Sequence, residues 1–381
     1  MDASDALPDA GDPARDLADL AIETGPFLSL VLTTDPAIPN AQQVDDVRWR
    51  GLRSELVDRG VPEDVLVEVD GLVPDAHLEA RTLGVIANAG GVLHVEHGED
   101  PTDRDDHADG RWEQLPWLFP VLSWRRWQLP HLIVLIDRRG ADLTGVRREG
   151  SEVRRGVDAE QEPHARSKPG GWSQRRYQQR AENTWEQGAG DVAKEVVRLA
   201  ERIDPRLIVV AGDVRAVGFL REALPPELDE LVHVVEGERE RDGGAGGTTE
   251  DVPEIVVNAV RQEEGRLLAR FQEELGQGDL GVEGAEATVT ALRKAQVDVL
   301  LIRDDVDDDR RAWVGPDPTQ IAMSRGELDA MGVEAPIEAR LRDAMVRAAL
   351  GTSARVHVLD ADMGPREGIG ALLRWSDAST G

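Results

Sequence analysis

The sequence predicts a mixed α/β protein with more than one domain, and three observations lead to that class. Short apolar runs at residues 27–32, 132–137 and 207–211 are typical of buried strands. Between and after them, apolar residues recur every three or four positions, as expected of helices that cover a sheet. Strands and helices alternate through the middle of the chain, which is the pattern of α/β folds. A length of 381 residues suits two or three domains.

Changes in composition divide the chain into three predicted domains. The N-terminal domain is residues 1–128, and Pro130 then precedes the apolar strand that opens a central domain over residues 129–236. Residues 237–250 are polar, acidic and rich in glycine, which indicates a flexible linker. A helical pattern then opens the C-terminal domain, residues 251–381.

Local patterns predict the first elements of the two outer domains. In the N-terminal domain they indicate a helix at residues 41–59 and strands at 84–87 and 92–95. The C-terminal domain is predicted to begin with a helix over residues 252–275 that ends at Gly276, because glycine commonly follows the last helical residue. The rest of that domain is predicted as helix, strand, strand, helix and strand.

The longest predicted element is an amphipathic helix in the central domain. Its apolar or weakly polar residues recur at spacings of four and three over about seven turns. They are Tyr177, Ala181, Trp185, Ala189, Val192, Val196, Leu199 and Ile203. Gly188 and Gly190 each cost a helix roughly 1 kcal/mol relative to alanine, which favours a bend there. Pro205 then predicts a turn before the next buried strand.

A short basic segment precedes this helix in a strongly acidic protein. The chain has 74 Asp and Glu against 44 Lys and Arg, a formal net charge of −30, yet residues 166–180 contain five basic residues and no acidic one. Gly170 and Gly171 allow the backbone to approach another molecule closely, and arginine suits phosphate oxygens. The segment therefore predicts contact with RNA or another polyanion. On the residues alone, a glycine turn followed by a helix capped by Ser173 stays open.

Three motifs together resemble one known superfamily. Residues 168–183 (K-P-G-G-W-S-Q-R-R-Y-Q-Q-R-A-E-N), with the strand that follows, resemble the central domain of archaeal and eukaryotic class-one release factors and Pelota. Gly368–Trp375 is similar to the end of that superfamily's C-terminal domain, and residues 291–302 are similar to its helix-to-strand element. The order of residues in the loop is most similar to bacterial members, a group that includes Balon-like ribosome hibernation and rescue factors.

The resemblance implies both a fold and a site. It implies a central α/β domain that carries the Gly-Gly loop and the long helix, and a C-terminal domain like an α/β/α sandwich. The residues implied for binding RNA and the ribosome surround the loop: His164, Arg166, Lys168, Gly170, Gly171, Trp172, Arg175, Arg176 and Arg180. The family's catalytic glutamine directly follows the glycines, whereas here the candidate Gln174 comes two positions later. That shift is ~6–7 Å of extended chain, too far for a positioned catalytic group.

The resemblance also implies a function and partners. The expected function is that of a ribosome-binding translation factor, which occupies the aminoacyl site during hibernation or during rescue of stalled ribosomes. The expected partners are the ribosome, through its rRNA, peptidyl-transferase centre and decoding region, and also tRNA and a translational GTPase; a monomer is expected. Two alternatives stay open. One is a peptidyl-tRNA hydrolase that uses Gln174, and the other is a stress-related scaffold that never engages ribosomes.

Composition limits the remaining classes of function. The chain has no cysteine, which excludes disulfides and cysteine-ligated zinc. No run of 18 apolar residues predicts a membrane helix, and the acidic start lacks the features of a signal peptide. We expect a cytoplasmic protein that uses neither a cofactor nor a metal ion.

Four weaker clusters are interpreted as structural rather than functional. Residues 243–247 are interpreted as a linker rather than a phosphate cradle, and residues 304–309 as an acidic loop rather than a cation site. Residues 94–97 with His107 are interpreted as ordinary histidines rather than a metal site. Asp137 and Asp142 are interpreted as a strand-end and a turn residue rather than a nuclease pair.

Overall fold

The computed structural model describes residues 14–33, 41–73, 82–98, 108–148, 150–158, 173–237, 252–304, 308–360 and 364–377, with the backbone alone at residues 15, 41 and 173–186. Within those ranges the helices are α1 (Ala18–Ile22), α2 (Ala41–Asp58), α3 (Glu63–Asp70), α4 (Phe119–Arg125), α5 (Ser173–Ile203), α6 (Val214–Ala223), α7 (Pro226–Asp229), α8 (Val252–Gln277), α9 (Ala285–Arg293), α10 (Arg325–Ala330) and α11 (Leu341–Gly351). The strands are β1 (Phe27–Thr33), β2 (Thr82–Asn88), β3 (Gly91–Gly98), β4 (Ala108–Glu113), β5 (His131–Asp137), β6 (Gly140–Val146), β7 (Glu152–Asp158), β8 (Leu207–Gly212), β9 (Val232–Val235), β10 (Gly281–Glu283), β11 (Val297–Arg303), β12 (Arg311–Val314), β13 (Ile321–Ala322), β14 (Ile337–Arg340), β15 (Arg355–Leu359) and β16 (Ile369–Leu373). The mixed α/β class predicted from the sequence is confirmed.

The chain divides into two compact units. One contains Gln128–Arg261, and the other contains Gly11–Trp127 together with Gln262–Gly381. The predicted N-terminal and C-terminal domains thus contribute to the same unit. The three domain boundaries stay predictions, because compactness alone does not define which segments fold independently.

The unit Gln128–Arg261 is built on a five-stranded sheet with the order β7-β6-β5-β8-β9. Strands β5, β8 and β9 are parallel, while β6 and β7 extend the sheet in antiparallel fashion. The apolar runs predicted at 132–137 and 207–211 form β5 and β8, so both strand predictions are confirmed. Such runs suit parallel strands in the interior of a sheet, where both faces are covered.

Helices α5 and α6 contribute to one core on one face of this sheet. Each lies in a connection between neighbouring parallel strands, and right-handed connections in the same direction place both helices on the same side. The predicted amphipathic stripe is confirmed wherever the side chains of α5 are described, from residue 187 onwards. Its buried members there are Ala189, Val192, Val196, Leu199 and Ile203. The helix is continuous across Gly188 and Gly190.

The second unit begins with an antiparallel sheet of order β3-β2-β1-β4. The predicted strand at 27–32 forms β1, and the strands predicted at 84–87 and 92–95 lie within β2 and β3. Strand β1 is apolar on both faces. One face contributes Leu28, Leu30 and Leu32 to a core with α2 and α3.

The C-terminal part of this unit has three layers. Its main sheet has the order β10-β16-β11-β15, in which β11 and β15 are parallel. Helices α9 and α11 share a core with one face of the sheet. On the other face, Phe271 and its neighbours on α8 pack with Val299 and Leu301 of β11. This is the α/β/α layering that the resemblance implied.

Two details of the C-terminal part correct the predictions. Helix α8 continues through Gly276 to Gln277, so the predicted end at Gly276 is wrong. The glycine with left-handed backbone is Gly278, with φ 66°, and its N–H donates to the carbonyl of Leu275. Strands β10, β13 and β14 and helix α10 were not predicted, because each has only two to six residues and carries little periodic signal.

The two distant segments of the second unit share one hydrophobic core. The other face of β1 contributes Phe27 and Val31 to the core that contains Met345 and Leu350 of α11. Leu122 from α4 and other residues of the first 127 join the same core. Polar contacts link the same segments, since the Ser123 hydroxyl donates to Asp304 at 2.9 Å. The N-terminal and C-terminal parts of this unit therefore depend on each other for burial.

We predict that deleting residues 1–127 prevents the remaining C-terminal part from folding cooperatively. Each large side chain that loses burial costs ~1.5–3 kcal/mol, so losing even six would match a typical stability of ~5–15 kcal/mol. Near-UV circular dichroism and thermal unfolding of the truncated chain measure this. A cooperative transition with an unchanged midpoint would contradict the shared core.

A buried carboxyl group lies among the ion pairs of this unit. Asp343 on α11 is 6% exposed. Burial is the largest effect and raises the pKa of its carboxyl to about 7; Arg111 opposes the rise and Glu113 adds to it. Nearby, Arg340 donates to Glu113 at 2.9 Å and to Asp309 at 3.2 Å, so β14 and β4 are joined across the core.

We predict that Asp343→Asn stabilises the protein at pH 8 and does so less at pH 5. The folded-state pKa lies above the ordinary value near 4, so ionisation of Asp343 lowers the free energy of unfolding as pH rises from about 4 to about 7. Denaturant midpoints at the two pH values measure the difference. Asp309→Asn is the matched control, because it removes the charge of a nearby carboxylate that is 90% exposed. If the denaturant midpoints of both variants changed equally between the two pH values, Asp343 would not be the group responsible.

Candidate nucleic-acid interface

The predicted site residues lie between β7 and α5. His164, Arg166, Lys168, Gly170, Gly171 and Trp172 fall outside the described residues. Gln174, Arg175, Arg176 and Arg180 lie in the first two to three turns of α5, where the backbone alone is described. Their assignment as site residues stays a prediction. The described parts of the chain define where the segment leaves the sheet and what carries it.

The segment leaves the sheet at the end that holds the β5–β6 turn. Asp158, the last residue of β7, pairs with Gly140 at the start of β6. Gly140 has φ 145°, and a Cβ there would lie 1.8 Å from the carbonyl oxygen of Val157. Only glycine fits at this position. The close contact holds the β5–β6 turn against the end of β7, at the point where the segment leaves the sheet.

The opposite end of the sheet anchors the long helix. A Cβ at Gly145, near the far end of β6, would lie 2.1 Å from Cδ1 of Ile203, the last residue of α5. Glycine at this position lets the helix end approach the sheet closely. From there α5 runs back towards the end at which the segment leaves the sheet.

Helix α5 is about twice as long as the sheet that supports it. A strand of seven residues spans ~23 Å, whereas 31 helical residues span ~46 Å. The half from Ala189 to Ile203 covers the sheet, and its described apolar stripe is buried. The half that begins at Ser173 therefore extends ~23 Å past the ends of the strands, along the strand direction.

The turns around this exit are ordinary structural features. The carboxylate of Asp137 accepts from the backbone N–H of Arg139 at 2.7 Å, which confirms its interpretation as a residue that ends a strand. Asp142 lies within β6 rather than in the turn. At the neighbouring strand end, Asp213 accepts from two backbone N–H groups at the start of α6 and pairs with Arg138 at 3.3 Å.

The other clusters singled out in the sequence hold ion pairs where they are described. His94 and Glu96 are hydrogen-bonded at 3.0 Å, and Arg125 binds the same carboxylate. Asp308 accepts from Arg310 and Arg342. Among the described residues no group of His, Cys, Asp and Glu could hold a metal ion. Residues 243–247 and His107 lie outside the described residues.

Comparison with known proteins gives a family match over the central part of the chain. The central part of the chain is similar to a family of bacterial archaeo-eukaryotic release factors, in the region where the motifs implied that resemblance. Residues 130–277 match the family model described as bacterial archaeo-eukaryotic release factor family 2. The matched segment contains the sheet of the first unit, α5 and α8.

Similar proteins cover between 77% and 95% of this chain. An uncharacterized protein of Mycobacterium tuberculosis (strain CDC 1551 / Oshkosh) is 23% identical over 365 residues, which cover 94% of this chain and 95% of that protein. The archaeal translation termination factor aRF1 has a TM-score of 0.26 at 17% identity, with 95% and 97% of the two chains covered. Archaeoglobus fulgidus Pelota has a TM-score of 0.35 at 17% identity, with 77% and 80% covered. These structural likenesses are distant.

The described helices were also compared with the requirements of a membrane span. None of them is both long enough and apolar enough to cross a membrane.

Proposed function

We propose that this protein is a cytoplasmic ribosome-binding translation factor that occupies the aminoacyl site of hibernating or stalled ribosomes. The observation that carries the proposal is the match of residues 130–277 to a release-factor family, within which α5 begins directly after the basic Gly-Gly-Trp loop. That loop lies where the family has its functional Gly-Gly-Gln loop, so the same use of the segment is the simplest inference.

The length of α5 supports this function. A loop attached to a helix that extends ~23 Å past its sheet can enter a narrow cleft while the sheet remains outside. An isolated helix of about 15 residues is marginal in water, so the projecting half gains from a binding partner. Entry of the loop into the peptidyl-transferase centre would supply one.

The chemistry of the segment fits RNA. Arg175, Arg176 and Arg180 lie close to the start of α5, where the N–H groups of the first turn and the helix dipole also favour anions. Trp172 offers a flat surface on which a base can stack, worth ~1–3 kcal/mol. Together these groups can bind phosphates and bases without recognising a sequence.

Occupancy is the proposed mechanism, and hydrolysis is the alternative. Trp172 stands where the family has glutamine, and Gln174 is the second residue of α5. Hydrolysis requires a water-positioning group held to a fraction of an ångström, whereas a plug requires bulk and contact area. A tryptophan directly after the two glycines suits the second role.

The other proposed partners follow from the family. The N-terminal segment would lie near the decoding region, and the C-terminal segment would contact a translational GTPase. We propose that the protein acts as a monomer, with tRNA as a further partner in the ribosome.

We predict that replacing Arg175, Arg176 and Arg180 with glutamate abolishes co-sedimentation with 70S ribosomes at physiological salt. Loss of each phosphate contact also lowers the slope of log affinity against log salt by about one. The matched control reverses three exposed arginines elsewhere, Arg198, Arg215 and Arg325. If both triple variants pellet like the wild type, the segment is not the anchor.

We predict that the purified protein does not release peptide from peptidyl-tRNA on stalled ribosomes at a useful rate. Trp172→Ala should weaken ribosome binding, because it removes the stacking surface, while Gln174→Ala should leave binding nearly unchanged. A single-turnover release assay with a known release factor as positive control measures the first point. Rapid release by the wild type that is lost in Gln174→Ala would instead establish a hydrolase.

A further inference from the structure

One edge of the five-stranded sheet is basic, and its arginines lie outside the Gly-Gly-Trp loop. Residues 138–158 contain six arginines in three adjacent pairs and four acidic residues, the reverse of the acidic excess of the whole chain. One pair, Arg138 and Arg139, lies at the β5–β6 turn; a second lies at the β6–β7 turn, and the third, Arg154 and Arg155, lies within β7. The pairs therefore follow the hairpin that forms one edge of the sheet.

The two arginines of β7 are exposed on an edge strand. Strand β7 is the last strand of the sheet order and pairs with β6 alone among the described residues. Arg154 lies opposite Thr144, and Arg155 lies opposite Leu143, so their side chains are on different faces of the strand. The strand is anchored by Val153 and Val157, which pack against the core, rather than by its arginines.

The contacts that these arginines make are weak and exchangeable. Arg154 pairs with Glu152 at 2.7 Å, but the two side chains are 76% and 47% exposed. Arg155 donates through Nη1 to the carbonyl of Arg154 at 2.9 Å. Exposed ion pairs of this kind contribute little stability, so either guanidinium can exchange its contact for a phosphate.

The opposite edge of the same sheet is acidic. Residues 222–238, which contain α7 and the edge strand β9, have six acidic residues and no Lys or Arg. The two edge strands are four strand spacings apart, ~19 Å. That distance exceeds the Debye length of ~8 Å at physiological salt, so the acidic edge does not cancel the field of the basic one. A polyanion approaching this unit is therefore drawn to β7.

The basic edge also continues into the candidate site. The last residue of β7, Asp158, lies beside the β5–β6 turn that carries Arg138 and Arg139, and the segment with the Gly-Gly-Trp loop follows directly in the chain. That segment therefore begins beside this basic turn.

We infer that edge strand β7, with Arg154 and Arg155 as its main donors and Arg139 at its loop end, is a second contact surface for RNA backbone. It binds phosphates through guanidinium groups on both faces of the strand and carries no base specificity. The inference rests on the proposed function for the identity of the RNA in the cell, but it predicts binding to any RNA backbone.

The test uses the full-length protein and two substrates. The variant is Arg154→Glu with Arg155→Glu, and the matched control is Arg198→Glu with Arg215→Glu, two exposed arginines of the same unit away from β7. Fluorescence anisotropy with a labelled 24-base-pair RNA duplex is measured at several salt concentrations, and pelleting with 70S ribosomes is measured in parallel. Arg154→Lys with Arg155→Lys keeps the charge, and thermal midpoints of all variants report on folding.

We expect the β7 glutamate variant to lose at least tenfold in affinity for the duplex at 50 mM salt, with a salt slope lower by about two. The control should change less than threefold, and the lysine variant should stay close to the wild type. Loss of duplex binding supports the inference even if the wild type does not pellet with ribosomes, a result that would overturn only the proposed function. No duplex binding by the wild type, or normal duplex binding by the glutamate variant, overturns the inference. Reduced pelleting with normal duplex binding would assign the surface to a protein partner instead.

Discussion

The packing of one half of α5 on the five-stranded sheet is the interaction on which the candidate site depends. Side chains from Ala189 to Ile203 supply the apolar stripe that the sheet buries, and Gly145 lets the end of the helix approach closely. The half that begins at Ser173 exceeds the length of helix that the sheet can cover, and a free helix of that length would be marginal. Its helical state is therefore propagated from the packed half, because extending an existing helix avoids the cost of nucleation. Weakening the packed half would shorten the projection.

The second unit depends on a different constraint, which is a strand that is apolar on both faces. Strand β1 separates two cores, one formed with α2 and α3 and one shared with the C-terminal segment. A strand that is apolar on both faces requires other elements to cover each face. The N-terminal and C-terminal segments are thereby coupled in stability although they are far apart in sequence. A ligand that binds either segment stabilises the other through this core.

Elements of the fold could be predicted from the sequence where the physical signal lies within one segment, and could not where it depends on distant segments. Strands β5 and β8 and helix α5 were predictable, because a continuous apolar run and a 3.6-residue period are each visible within one segment. Strand β7 was missed, since its pattern of side chains is mostly polar and only Val153 and Val157 point inward. The arginines of that edge were therefore not recognised as one surface. The shared core could not be predicted, because nothing in β1 specifies which distant segment covers its second face.

Distance explains how one unit of a protein with a net charge of −30 can keep a basic edge. Screened interactions fall off over a Debye length of ~8 Å at physiological salt. The two edge strands of this sheet are ~19 Å apart, more than two such lengths, so the acidic edge retains about a tenth of its unscreened effect at β7. The arginines of β7 lie on the edge opposite the acidic edge that contains β9. The separation of charge across the sheet thus keeps Arg154 and Arg155 largely outside the field of the acidic edge of the same unit.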